Sequence, residues 1–310
     1  MPFDSHSLQT TQQTLKNRIS CSGVGLHTGK KVSLALAPAD VDAGIVFVRN
    51  DVHGRDSLIP ARWNNVVDTR LCTVVGNADG VTVGTVEHLM AALAGAGIDN
   101  ARIEIDGPEV PIMDGSAEPF LFLIDCAGVM EQPAARQAIK ILRRISVGEE
   151  GRGAVLSPAA EPSFSFEIEF DSPAIRRQQR SLKLVNGAFK HELSKARTFG
   201  FMHEVEGLKK MGLALGGSLE NAIVVSGDRV LNEGGLRYSD EFVRHKILDS
   251  VGDLYLAGAP IIGHFHGSRS GHAHNNQILR ALFDVPESWR MVDTGQVEAE
   301  RLRFSERITA

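Results

Sequence analysis

The 310-residue sequence is poor in cysteine, in aromatic residues and in long apolar runs. Its three cysteines are widely spaced and form no CxxC pair, which is typical of reduced thiols and argues against a disulfide-stabilised secreted fold. No uninterrupted apolar segment reaches the length that spans a bilayer. The N-terminal segment MPFDSHSLQTTQQTLKN lacks the apolar core of a signal peptide. We therefore expect a cytoplasmic protein without stable membrane insertion.

The sequence also lacks a strong excess of either charge. Its formal net charge is -5 at pH 7, and its basic residues are dispersed apart from short pairs such as Lys209-Lys210. A chain without a basic patch is not expected to bind nucleic acid in general. With 43% apolar residues, a chain of this length can bury one large core or, as we expect here, two domains. We expect it to be a monomer.

The two halves of the chain repeat one order of elements. The alternating segments KKVSLALAP and AGIVFVRN predict strands, and VEHLMAALAGAG and SAEPFLFLIDCAG predict helices on either side of the strand ARIEIDG. In the second half, DEFVRHKILDSVGDLYLAG predicts a helix, PIIGHFHGSRSG a strand with a Gly-rich loop, and HNNQILRALFD a helix. The sequence therefore predicts an α+β fold built from a duplicated α+β unit rather than parallel βαβ winding.

We expect a polar linker, MEQPAARQA, between the two units. The segment TFGFMHEVEGLKKMGLALGGSLENAIVV has no obvious counterpart in the first half, so we interpret it as an insert. Its pattern predicts a strand, a short helix carrying Met211, Leu213 and Leu215, and a second strand. The expected divisions are a first domain over residues 1–130, a second over 137–286 with the insert at about 197–226, and a peripheral tail over 287–310.

The first-half helix opens with Glu87 and His88, although most of its residues are apolar. Thr85 could cap this helix, and an acid in the first turn interacts favourably with the helix dipole. A lone histidine is more often a satisfied core group than a ligand. On this segment alone, both a structural and a catalytic role stay open.

The second-half helix carries three ionisable residues on one face, His245, Asp249 and Asp253, each four residues apart. Phe242 and Leu256 project to the same side, so this face is not simply the solvent side. Buried ionisable groups need partners because an unpaired buried charge is expensive. A histidine and a carboxylate one turn apart are typical ligands of zinc, and a third ligand would leave an open position for water. The HxxxD pair by itself is a weak signal.

The matching helix of the first half supplies His88 as the natural third ligand. Glu87, next to a ligand without being one, could accept a proton from water at the metal. His272 lies in the Gly-rich segment GSRSGHAHNN, where we expect a loop that brings its imidazole close to a substrate. Asp253 could orient that ring or keep it protonated.

Seven motifs together resemble a known family: GVGLHTG, DTRLCT, VEHLMAAL, PIMDGSAEPF, ARTFGF, RHKILDSVGDL and SGHAHNN. They are similar to those of the bacterial zinc-dependent UDP-3-O-acyl-N-acetylglucosamine deacetylases of lipid A synthesis, over residues from about 15 to 285. The resemblance implies a hydrolase that removes the N-acetyl group from UDP-3-O-(3-hydroxyacyl)-N-acetylglucosamine and releases acetate. It also implies a sheet-helices-helices-sheet sandwich. The alternative is a zinc amidase that acts on another N-acetylated sugar nucleotide.

The resemblance implies roles for individual catalytic residues. Glu87 corresponds to the general base, and His272, partnered by Asp253, corresponds to the cation that stabilises the oxyanion and protonates the leaving amine. Thr198 matches a threonine whose hydroxyl faces the oxyanion. The implied Zn²⁺ ligands are His88, His245 and Asp249.

The resemblance also implies substrate contacts. Lys246 corresponds to a diphosphate contact, Phe199 to a substrate-contacting aromatic residue, and Phe170 to an aromatic residue under the uracil. The implied substrate carries a long acyl chain, which needs apolar walls. We interpret the insert at about 197–226 as the acyl-chain site.

Three other interpretations fit the sequence less well. The glycines of SGVGLHTGK are spaced GxGxxxG, which fits neither a dinucleotide-binding fingerprint nor a P-loop. His264 and His266 form an HxH pair on one face of a strand and could hold a metal, although we interpret them as strand residues near the cleft. A metal-stabilised binding protein without catalysis is disfavoured because a structural zinc has four protein ligands and needs neither Glu87 nor His272.

Overall fold

The computed structural model describes residues 8–185 and 187–300 and has an α+β architecture. The last ten residues of the expected tail lie outside the described range. No helix in the described part of the chain is long and apolar enough to cross a membrane. The α-helices are α1 Glu87–Gly95, α2 Glu118–Ala127, α3 Met202–Lys210, α4 Glu241–Tyr255 and α5 His272–Phe283.

Within residues 8–185 and 187–300, three further helical segments are short: the 3₁₀ turns Trp63–Asn65 and Pro286–Ser288, and the π-helical turn Phe189–Leu193. The strands of the first half are β1 Thr11–Leu15, β2 Ile19–Val24, β3 Lys31–Pro38, β4 Ile45–Arg49, β5 Leu58–Pro60, β6 Val66–Asp68, β7 Val74–Gly76, β8 Thr82–Val83, β9 Ala101–Ile105 and β10 Val129–Ala135. The remaining strands are β11 Gln137–Ile141, β12 Ile145–Glu149, β13 Arg152–Ser157, β14 Ser163–Glu169, β15 Arg177–Lys183, β16 Phe199–Phe201, β17 Ile223–Ser226, β18 Arg229–Val230, β19 Ile261–Ile262, β20 His264–Ser268 and β21 Trp289–Asp293.

Two five-stranded sheets have the same topology. Their strand orders are β2-β3-β9-β4-β5 and β12-β13-β20-β14-β15. In each sheet the third and fourth strands are parallel, and the other pairs are antiparallel. In each half a helix precedes the third strand of the sheet and another follows it. The predicted duplicated α+β unit is confirmed.

The helices lie between the two sheets because each sheet has one apolar face. In β14, the buried residues Phe164, Phe166 and Ile168 alternate with serine and glutamate, so one face packs on helices and the other faces solvent. Helix α4 packs on β14 and β15, α5 on β12 and β13, and α1 against α4. At Gly252 a Cβ atom would overlap with the carbonyl group of Glu87, so glycine permits the close approach of α4 to α1.

The insert of the second half has a counterpart, contrary to the sequence-based expectation. Strands β16, β17 and β18 form a three-stranded sheet between the fifth strand of their unit and α4. Strands β6, β7 and β8 form another at the equivalent position before α1. The three-stranded sheet β6-β7-β8 has strands of only two or three residues and contains no helix. Its sequence therefore shows little periodicity.

Two segments predicted to be irregular or peripheral are strands. The expected linker MEQPAARQA falls in β10, which pairs with β1, and in the start of β11. Residues 289–293 of the expected peripheral tail form β21, which pairs along β11. The proline of MEQPAARQA and the charged residues of the tail predict irregular structure. Pairing with a strand distant in sequence overrides that local preference in both segments.

Candidate metal centre and active site

Three metal-ligating side chains meet where the first turn of α1 faces α4. The Nε2 atoms of His88 and His245 lie 3.5 and 3.2 Å from the same oxygen, Asp249 Oδ1. The ligand atoms all lie within 4.8 Å of one another, and the three residues are buried. Among the described residues, none donates a hydrogen bond to Asp249 Oδ1. A buried carboxylate oxygen without a donor, facing two imidazole nitrogens, fits a divalent metal.

The protonation states of this cluster favour metal binding. Burial lowers the pKa of His245 to about 4, so the ring is neutral at pH 7. Burial opposes ionisation of Asp249, but the charge that His245 carries when protonated at acidic pH and the charge of Lys246 outweigh burial and hold the pKa of this carboxyl well below its usual range. Lys246 Nζ donates to Asp249 Oδ2 at 2.7 Å, and His245 Nδ1 lies 3.0 Å from the carbonyl oxygen of Ala196. These contacts orient both groups.

Glu87, the first residue of α1, lies beside the cluster. The backbone N–H of Thr73 donates to Glu87 Oε2 at 3.0 Å, and Glu87 Oε1 lies 3.8 Å from His272 Nε2. Burial raises the pKa of Glu87, while the charges of His272 and His88 oppose that rise. A buried carboxyl group with a raised pKa beside a histidine is a candidate for proton transfer.

His272 is the first residue of α5 rather than a loop residue, which corrects the expectation from its glycine-rich context. Its Nδ1 atom lies 2.8 Å from Asp253 Oδ2. Burial lowers the pKa of His272, but the charges of Asp253 and Glu87 outweigh burial and raise this pKa to about 9. Asp253 also accepts hydrogen bonds from the hydroxyl of Thr73 and from Asn275 Nδ2. The raised pKa keeps His272 protonated at neutral pH, and the contact with Asp253 orients its ring.

Thr198 and Phe199 approach the cluster from β16. The backbone N–H of Thr198 donates to the Gly115 carbonyl at 2.8 Å, and its own carbonyl accepts from Ile223 N–H at 2.8 Å. The Phe199 ring centroid lies 6.3 Å from that of His245. The structure thus brings Phe199 beside His245, and Thr198 directly precedes Phe199 and its strand.

A cavity of about 470 Å³ lies beside Lys246, and its charged lining consists of three cationic side chains and the carboxylate of Glu169, which pairs with one of them, Arg269, at 3.2 Å. Phe170 lines it and packs edge-on against Phe199, with ring centroids 5.7 Å apart. Arg152 and Arg269 line the same cavity, and sequence reasoning assigned neither a role. In the sequence these two arginines look like ordinary surface charges. Arg152 begins β13 and Arg269 follows β20, and they come together only because these strands pair in the sheet.

The insert presents apolar side chains to solvent. Helix α3 buries none of its residues. The expected apolar residues lie beyond this helix: Met211 is its C-cap, and Leu213 and Leu215 follow it, so their predicted place on the helix is wrong. The Leu215 N–H donates to the His27 carbonyl at 3.1 Å, which joins the insert to the GVGLHTG loop. The largest exposed apolar side chains between β16 and β17 are Met202, Met211, Leu215 and Leu219.

The GVGLHTG loop is held by a buried carboxylate. Glu109 accepts hydrogen bonds from the backbone N–H groups of His27 and Thr28 and from the hydroxyl of Thr85. Thr85 is therefore not the helix cap expected from the sequence, and Val86 takes that position. Both ring nitrogens of His27 are buried without a hydrogen-bond partner in the described part of the chain. Burial lowers the pKa of His27, the charge of Glu109 opposes this, and the charge of His272 adds to the lowering.

Sequence reasoning missed three residues of the site although it quoted their motifs. Thr73 closes DTRLCT, His27 lies in GVGLHTG, and Asn275 lies in SGHAHNN. Motif membership was the available signal. The contact of Thr73 with Asp253 joins positions 180 residues apart, and no spacing rule predicts it.

His264 and His266 do not belong to the ligand cluster. They alternate along β20 with the buried Phe265, so they face away from the helices. Ser163 and Ser165 on β14 contact their ring nitrogens. The alternative metal position therefore lies on the other face of the sheet.

Comparisons with known proteins show the family to which this chain belongs. The family model described as UDP-3-O-acyl N-acetylglycosamine deacetylase matches residues 12–284. A relative from Acidithiobacillus ferrooxidans named UDP-3-O-acyl-N-acetylglucosamine deacetylase is 53% identical over 290 residues, which cover 93% of this chain and 95% of the relative. A relative of the same name from Phenylobacterium zucineum is 53% identical over 280 residues, covering 90% and 96%. The chain therefore belongs to the UDP-3-O-acyl N-acetylglycosamine deacetylase family.

Proposed function

We propose that the protein removes the N-acetyl group from UDP-3-O-(3-hydroxyacyl)-N-acetylglucosamine and releases acetate, an early committed step of lipid A biosynthesis. Family membership supports the substrate class. One observation carries the reaction type: a carboxylate and an imidazolium, Glu87 and His272, lie 3.8 Å apart beside a cluster of three metal-ligating side chains. Amide hydrolysis needs a base that takes a proton from the attacking water and an acid that gives a proton to the leaving nitrogen.

We infer that the metal is zinc and that His88, His245 and Asp249 hold it. Two imidazoles and one carboxylate with a further open position are typical of catalytic zinc. When bound, zinc would polarise the amide carbonyl and make water more acidic. Lys246 neutralises part of the charge of Asp249 through its 2.7 Å hydrogen bond.

Proton transfer falls to the two groups beside the ligands. Glu87 Oε accepts the proton of the attacking water, and its raised pKa makes it a stronger base than an exposed carboxylate. His272 Nε2 donates a proton to the leaving amine, while Asp253 holds Nδ1. Before that transfer the His272 charge faces the developing oxyanion, and the Thr198 hydroxyl is the second candidate donor to it.

The cationic cavity is the candidate site for the UDP group. A diphosphate requires positive charge, which Lys246, Arg152 and Arg269 supply, and a uracil ring requires an aromatic surface, which Phe170 supplies. Lys246 lies both in this cavity and on the ligand Asp249. A sugar nucleotide bound here therefore has its sugar next to the metal centre.

The exposed apolar residues of the insert are the candidate walls for the acyl chain. The backbone N–H of Leu215 donates to the carbonyl of His27, and the His27 ring is close enough to His272 for their charges to interact, so the insert extends toward the reacting centre. Apolar residues that the fold leaves uncovered suit a ligand better than a core role. Each methylene buried there contributes about 0.8 kcal/mol to binding.

We expect a substrate without the O-linked acyl chain to lose orders of magnitude in kcat/KM. Acetate release from UDP-3-O-acyl-N-acetylglucosamine and from UDP-N-acetylglucosamine measures the difference. Leu213→Gln should reduce it, whereas Leu58→Gln, at an exposed leucine of the first half, should not. Equal kcat/KM values for the two substrates would remove the acyl-chain assignment and leave the alternative, a zinc amidase of another N-acetylated sugar nucleotide.

The activity should depend on pH as a bell-shaped curve. Glu87 must be ionised, so activity falls as the pH drops through its raised pKa. His272 must be protonated, so activity falls as the pH rises through about 9. The acidic limb should disappear in Glu87→Gln and the basic limb in His272→Gln, with the metal retained in both. A His272→Gln enzyme with the normal rate and both limbs would contradict the acid role.

A further inference from the structure

The HFH motif on β20 takes no part in the proposed reaction, yet its two imidazoles converge on one point. Ser165 Oγ lies 2.9 Å from His264 Nε2 and 2.8 Å from His266 Nδ1. The strand pairing fixes this arrangement, because β14 and β20 run parallel with Ser163 opposite His264 and Ser165 opposite His266. Two ring nitrogens of different residues are thus within 3 Å of a single hydroxyl oxygen.

The neighbouring serine selects a useful tautomer of His264. Ser163 Oγ lies 2.8 Å from His264 Nδ1 and can accept its N–H. Nε2 then carries the lone pair, directed toward Ser165. Histidine ligands of metals usually have this arrangement, in which the other ring nitrogen donates to an oxygen that fixes the ring.

We propose that His264 and His266 form a second metal site, on the outer face of the second five-stranded sheet, for a divalent ion such as Zn²⁺ or Cu²⁺. The ion lies between the two ring nitrogens and the Ser165 hydroxyl oxygen, which coordinates through a lone pair and keeps its hydrogen, and small rotations bring each nitrogen to about 2.0–2.1 Å from the ion. Imidazole nitrogens with a hydroxyl or water are ligands that zinc and copper accept and that magnesium and calcium do not prefer.

The electrostatic surroundings support this site. The next residue of β14 on this face is Glu167, and its carboxylate interacts electrostatically with His266. Glu167 also binds Arg177 at 2.9 Å, so it compensates the charge of an ion without being a required ligand. The site is independent of the cluster on α1 and α4, which lies on the other side of this sheet.

To test this, Zn²⁺ is added to protein that already holds one equivalent of metal, and the additional bound zinc is measured by equilibrium dialysis. We expect one further equivalent in the unmodified protein. His264→Gln and His266→Gln should each weaken its binding by at least about tenfold, and Ser163→Ala, which releases the ring orientation, by about tenfold. Ser165→His adds a third imidazole and should tighten binding. With Cu²⁺, electron paramagnetic resonance should show nitrogen coupling that His264→Gln reduces.

Controls separate this site from nonspecific uptake. His53→Gln removes an exposed histidine of the first half and should leave the second equivalent unchanged. Acetate release should be unchanged in His264→Gln, since the residue has no part in the reaction. If the unmodified protein binds no further equivalent, or if the equivalent persists at the same affinity in a His264→Gln/His266→Gln protein, the proposal is wrong. The Ser165→His result provides a test that does not depend on removing either histidine.

Discussion

Replacement of His245 by alanine should remove metal and activity together. The side chain contributes one of three converging ligand atoms, and its loss leaves His88 and Asp249 with no third protein ligand. Because loss of groups that only orient ligands already weakens metal binding about 10- to 100-fold, loss of a ligand should lower metal affinity by more than about a hundredfold. Metal content after dialysis and acetate release, measured on the same preparation, check this expectation.

Added zinc distinguishes a lost ligand from a damaged fold. If His245→Ala is folded, high zinc concentrations should restore part of its activity. His53→Ala, at an exposed histidine outside the site, should keep its metal and its activity. A His245→Ala protein that retains a full equivalent of metal at unchanged affinity would show that the ligands lie elsewhere.

Replacement of Glu87 by glutamine should abolish most of the activity while the metal stays bound. The amide oxygen can still accept the hydrogen bond from Thr73 N–H, so the local structure is maintained. The amide cannot accept a proton from water, and loss of a general base costs about 100- to 10,000-fold in rate. The measurements are kcat and metal content for Glu87→Gln.

The matched control is Glu131→Gln, which removes an exposed carboxylate of β10. It should leave kcat and metal content unchanged. Loss of metal from Glu87→Gln would make Glu87 a ligand rather than a base. A normal kcat would exclude it from proton transfer.

Local patterns predicted the helices that carry the site. The apolar run after Glu87 and the i, i+4 spacing of His245, Asp249 and Asp253 report helical geometry, which depends on neighbours within a turn. The duplicated unit was also visible, because both halves repeat the same order of helix and strand. The pairing of His88 with His245 followed from that repeat, and their ring centroids are 4.9 Å apart.

Segments whose structure depends on distant partners were not predicted. The proline-containing MEQPAARQA segment pairs as β10 with β1, more than a hundred residues earlier. The three-stranded sheet before α1 has strands of two or three residues, too short to show a period. His272 begins a helix although glycine precedes it, because the helix packs on β12 and β13.

The sequence by itself determined the fold class, the two long active-site helices and the residues of the candidate metal centre, since their spacing along a helix fixes which side chains share a face. Only the tertiary structure decided how close Glu87 and His272 lie, which side chains line the cavity beside Lys246, and that Ser165 contacts the rings of both His264 and His266. Asp253 reaches Thr73 and His272, and Ser165 reaches His264 and His266, through packing between elements that lie far apart in the chain. Such contacts depend on how the sheets and helices pack, and a pattern of neighbouring residues carries no information about that packing.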